Sequence, residues 1–82
     1  MSWDKERIAP LQLPDSADND PHPRLLLEGR VIHAGEGFTA LFPDGWHDIA
    51  LEVTWEQTGP ACWYISTLGF RGVCPVGLFV KV

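Results

Sequence analysis

The clearest regularity in the chain is the alternation "IALEVTWE" at residues 49–56. Ile49, Leu51, Val53 and Trp55 fall on one side of an extended segment, and Ala50, Glu52, Thr54 and Glu56 on the other. A period of two marks a strand with one face against a core. "FTALF" repeats the pattern, with Phe38, Ala40 and Phe42 on a common face. "RLLLEG" and "RVIH" are short apolar runs parted by a turn at Gly29. "CWYIST" turns Trp63 and Ile65 inward, and "GLFVKV" sets Leu78, Val80 and Val82 against Phe79 and Lys81. The corners between them are "AGEG", "PDG" and "TGPA", where glycine supplies positive φ and proline presets its own. Trp46 is out of phase with Ile49, and a β-bulge at His47-Asp48 would return both to the core. Five to six short strands spaced by turns predict an all-β domain, a small barrel or a rolled antiparallel sheet.

Residues 1–23 read differently. They hold four of the seven prolines and a net charge of −3, from Lys5 and Arg7 against Asp4, Glu6, Asp15, Asp18 and Asp20. Each proline biases its predecessor toward extended backbone, so the segment is expected as a Pro-rich, acidic, extended N-terminal arm, with the β-domain occupying residues 24–82. Asp4 and Glu6 would suit one helical turn starting at Ser2. Trp3, Ile8, Leu11 and Leu13 are too apolar for a plain linker. They either pack across the domain or form a short motif for a partner; packing is the simpler reading.

Composition narrows the function. The chain has 82 residues, 45% of them hydrophobic, which makes one domain with a small core. No apolar run approaches the roughly 20 residues of a membrane span, and no apolar segment follows the charged N-terminus as in a secretory signal. A cytoplasmic protein is expected. Cys62 and Cys74 are spaced for neither a redox pair nor a zinc site, and reduced, buried thiols fit that compartment. With 11 acids against 6 bases the net charge is −5. Direct nucleic-acid binding calls for a basic stripe, so the balance argues against it. An acidic small protein can instead occupy a basic, nucleic-acid-binding groove on another protein; plain solubility explains the same charge.

Candidate chemistry is thin. His33 beside Gly35 and Glu36 could serve as a base, but no nucleophile or orienting partner accompanies it. A histidine at a strand end, with one ring nitrogen bonded to a turn carbonyl, is the blander reading. "GEG" lacks the Lys-Ser/Thr and helix start of a phosphate loop. "DSADND" lacks the glycine and distal glutamate of a calcium loop. Glu52 and Glu56, on one strand face, would stand about 13 Å apart, too far for a retaining glycosidase pair. His22, His33, His47 and the cysteines show no ligand spacing for zinc. No metal, no cofactor and no catalysis are expected.

The stretch from Leu25 to Ile65 resembles a short family of unknown function found in bacteria and their mobile elements. Gly29, Ile32-His33, Gly35-Glu36, Gly45-Trp46, Glu52 and Trp63-Tyr64 stand at the matching places. Ala50 stands where the pattern commonly has arginine, so an ion pair between that position and Glu52 is absent. The resemblance implies an SH3-like barrel and no assigned activity.

The aromatic residues Trp46, Trp55, Trp63, Tyr64, Phe38, Phe42, Phe70 and Phe79 exceed what so small a core can hide, and exposed aromatics anchor interfaces. Phe70 and Arg71, flanked by Gly69 and Gly72, form the candidate anchor, unless Phe70 folds inward. The expected function is a non-catalytic protein-binding module, in its sharpest form a phage-encoded, anti-CRISPR-like inhibitor of a host defence complex. In that reading Glu52, Glu56, Asp15, Asp18 and Asp20 imitate phosphates, Phe70 and Arg71 anchor, and Trp3 adds the arm's contact. The competing class is a nucleic-acid-associated barrel using Arg24, Arg30, Arg71 and Lys81.

Overall fold

The structure, a computed structural model, describes residues 7–82. Trp3 and the helical turn expected from Ser2 lie outside the described residues. The elements are β1 (Ile8–Pro10), a 3₁₀ turn at Asp15–Asn19, β2 (Leu26–Leu27), β3 (Arg30–Val31), β4 (Gly37–Phe42), β5 (Gly45–Val53), a second 3₁₀ turn at Gly59–Cys62, β6 (Trp63–Ile65) and β7 (Phe79–Lys81). No α-helix occurs among the described residues.

The fold is all-β and antiparallel. Five strands lie side by side in the order β1-β7-β4-β5-β6, and β2 with β3 makes a separate hairpin. Gln12 exchanges both backbone hydrogen bonds with Leu26, at 2.9 and 2.7 Å, so the chain running on from β1 ties that hairpin to the sheet edge. The segment expected as an arm thus supplies an edge strand, and Leu11 is fully buried. The barrel, however, does not close. β3 and β6 do not pair with each other, leaving a seam between the hairpin and the β5–β6 side of the sheet. The hairpin strands are two residues each, and Pro21 and Pro23 beside them have no N–H to donate to a closing ladder.

Turn chemistry explains the two hairpins. At the β2–β3 corner Glu28 (φ 50°) and Gly29 (φ 81°) are both left-handed, the twist that a two-residue hairpin link requires. At the β4–β5 corner Pro43 cannot take positive φ, and the following Gly45 takes it instead, at 123°. From Phe42 opposite Gly45 to Gly37 opposite Ala50 the register runs without a slip. The bulge expected at His47-Asp48 is therefore absent, and Trp46 faces outward opposite Leu41. Strand β5 also starts earlier and ends sooner than the alternation implied. It stops at Val53, which leaves Trp55 73% exposed rather than inward.

The core lies on the inner face of the sheet. Ala9, Leu11, Ala40, Phe42, Ile49, Leu51, Trp63, Ile65 and Val80 meet Leu25, Leu27 and Ile32 from the hairpin side. The inward alternation read for Ala40, Phe42, Ile49, Leu51, Trp63, Ile65 and Val80 is thus observed. Cys62 is buried and Cys74 exposed, both as free thiols, so only one of them is buried as expected.

Candidate functional site

Two surfaces stand out. The first is the outer face of the sheet, and register builds it. Pro10 pairs with Phe79, and Leu41 with Trp46. Ala40 pairs with Val80, so one step along the antiparallel ladder Leu41 neighbours Phe79. Pro10, Phe79, Leu41 and Trp46 form one apolar row across four strands. Phe79 is 49% exposed, Leu41 43% and Trp46 38%, with Ile8 alongside at 49%. The next row holds Ile8, Lys81, Thr39 and Asp48 by the same register. The Lys81 ammonium lies 4.9 Å from the Trp46 ring centre, and the Thr39 hydroxyl donates to Asp48 Oδ1 at 2.7 Å.

The second is a hollow of about 480 Å³ at the open seam. Ile32 and His33 line it from the hairpin side, Val53 and Trp63 from the sheet, and Asp20, His22, Arg24 and Trp55 from the flanking loops. The indole N–H of Trp63 crosses the seam to donate to the Pro23 carbonyl at 2.7 Å, a buried bond. Side chain does here what backbone pairing does elsewhere in the roll. The His22 ring meets Trp55 edge-on, centroids 4.6 Å apart, and the His22 backbone N–H donates to Asp20 Oδ1 at 2.9 Å.

The residues singled out from sequence are distributed otherwise. Asp15 and Asp18 sit exposed on the first 3₁₀ turn, and Asp20 ends it at the rim of the hollow. Glu52 and Glu56 do not share a strand face, because β5 ends between them; Glu56 is exposed in the loop after Trp55. Phe70 folds inward, its ring 4.5 Å from that of Phe42 and 5.1 Å from that of His47, while Arg71 stays exposed. Trp3 lies outside the described residues. The sequence reading passed over Leu41 and Phe79 as an outer row and His22 with Trp55 as a pair. Its available signal was the phase of Trp46, out of step with Ile49 because it faces the other way.

The His33–Glu36 step is a corner. Glu36 Oε2 accepts the backbone N–H of His33 at 2.7 Å, and Oε1 accepts from Arg30 Nη1 at 2.9 Å. It is the His33 backbone, not its ring, that makes the turn bond. The Arg30 hydrogen bond chiefly, then the His33 N–H, holds the Glu36 carboxyl below its ordinary value. Gly35, at φ 89°, takes the left-handed position between them. No group of three or more His, Cys, Asp or Glu arranged to hold a metal ion occurs among the described residues.

No family model, no curated protein and no solved structure matches the chain.

Proposed function

We propose that the chain is a non-catalytic protein-binding module of SH3-like build, and that the outer sheet face is its docking surface. The apolar row Pro10–Phe79–Leu41–Trp46 carries the reading. A single exposed leucine needs no explanation, but a contiguous apolar row on the solvent side of a sheet is a mark of interaction surfaces. The partner would be a basic protein with an apolar patch. The net charge of −5, with Asp44 and Asp48 flanking Trp46 in the chain, supports that sign.

The sharper form is a phage- or mobile-element-encoded cytoplasmic inhibitor, anti-CRISPR-like, that fills the nucleic-acid groove of a host defence complex. Its support is the set of exposed carboxylates Asp15, Asp18 and Asp20 at one turn, together with the family resemblance over residues 25–65. A nucleic-acid-associated domain would need its arginines and Lys81 free as one patch. Arg30 is engaged by Glu36, and Lys81 lies over Trp46.

The test is affinity capture from nuclease-treated bacterial lysate, with the full chain and the double variant Leu41→Ser, Phe79→Ser compared. Both side chains are exposed, so the fold is expected to survive, as checked by circular dichroism. Removing central interface contacts should weaken capture by about tenfold or more. Equal capture by both chains, or capture only with intact nucleic acid, would overturn the reading.

A further inference from the structure

We propose that the hollow at the open seam receives a lysine or arginine side chain presented by a polypeptide. The hollow faces away from the apolar row, because Val53 and Trp63 belong to the inner side of the sheet. Its occupant is therefore tested separately from the docking surface.

Aromatic surface comes first. Trp55 and Trp63 both line the hollow, and an indole is the strongest neutral attractor of a cation among the side chains. Trp63 is 5% exposed and pinned by its bond to the Pro23 carbonyl, so that wall is rigid. Trp55 is 73% exposed and rests an edge contact on His22, which leaves ring surface open to a ligand. The chain makes the same kind of contact internally, with Lys81 over Trp46 and Arg30 at 6.0 Å from Phe38.

Charge sets the sign. Asp20 lines the hollow, and the backbone N–H of His22 bonded to its Oδ1 fixes the carboxylate there. Asp15 and Asp18 lie on the turn that leads to it, and Glu56 follows Trp55. Within the lining Asp20 is the carboxylate, and with it stand one guanidinium, Arg24, and the imidazoles of His22 and His33. A cationic guest is favoured by Asp20 and the two indoles and opposed by Arg24. That balance yields two substitutions with opposite effects.

The test follows the Trp55 indole N–H resonance of the ¹⁵N-labelled full chain during titration with acetyl-Gly-Lys-Gly-amide, its arginine counterpart and its norleucine counterpart. The cationic peptides should move and saturate that resonance, with norleucine binding about two- to fivefold more weakly, the worth of an exposed cation–π contact. Asp20→Asn, which keeps the oxygen that accepts from His22, should weaken lysine binding, and Arg24→Gln should tighten it. Trp55→Ala should abolish it while the Trp63 resonance stays in place, showing the seam intact. Whichever of the lysine and arginine peptides binds better identifies the guest. A norleucine peptide that binds as well as lysine would overturn the proposal. So would an unmoved Trp55 resonance, or a lysine complex that weakens with Arg24→Gln.

Discussion

Glu36 ties Arg30 at the end of one hairpin to the backbone of His33 and the start of β4, two charge-favoured hydrogen bonds from one carboxylate. Because its pKa is lowered from 4.5 in the folded chain, the unfolded chain takes up this proton first as pH falls. The stabilisation is complete above the unfolded value and disappears as pH drops through the depressed folded one. Denaturant melts of the parent chain and Glu36→Gln should therefore differ at pH 7 and converge as the pH falls from there through the lowered folded-state titration. A constant gap across that range would show that the carboxylate charge is not what matters. Cysteine reactivity tests burial at the same scale. Burial pushes the Cys62 thiol up, whereas Cys74 is exposed. A disulfide reagent should label one thiol in the native protein, Cys74, and the second only on unfolding. Rapid native labelling of both would mean that the core around Cys62 opens readily.

Turns and strands were legible to different degrees. The inward sides of β4, β6 and β7 followed from alternation alone, because a strand with one face against a core has little freedom of phase. What alternation could not give was where β5 begins. "PDG" reads as a turn, but only the pairing of Phe42 with Gly45 shows that the ladder resumes at once and turns Trp46 outward. The seam was not legible either. Closure depends on whether two short, distant segments meet, and the prolines at 21 and 23 signal extended chain in sequence without showing which ladder lacks their donors. Likewise the Asp20–His22 stretch is far in sequence from Trp55 and Trp63, and only the fold assembles them around the hollow. The β2–β3 corner offers a direct check. Glu28 holds a left-handed φ of 50°, a conformation that costs an ordinary residue about 1 kcal/mol and asparagine less. Glu28→Asn should raise stability by several tenths of a kcal/mol or more, even though it gives up an exposed ion pair with Arg7 that is worth about as little as other surface pairs. A lower melting temperature would place the Arg7 contact above the turn in importance. At the seam, Trp63→Phe leaves the buried Pro23 carbonyl unpaired and should cost about 1–3 kcal/mol. A neutral result would mean that the seam holds by packing alone.

At the scale of the molecule, the open roll divides its work between two faces. The inner face holds the core and, at its unclosed edge, the hollow; the outer face carries an apolar row that folding alone does not require. Leu41, Phe79 and Trp46 could each be polar without loss to the core, and their exposure makes the case for a partner. In the proposed docking, the acidic balance of the chain would act over a longer range, favouring encounter with a basic surface and doing so less at high salt.

The most direct measurement is the comparison of captured partners for the parent chain and the Leu41→Ser, Phe79→Ser variant, after nuclease treatment and with folding verified. A stoichiometric basic protein held by the parent and lost by the variant is the expected result. Retention of that protein by the variant, or recovery only alongside intact nucleic acid, would contradict the assignment of the outer sheet face as a protein-docking surface.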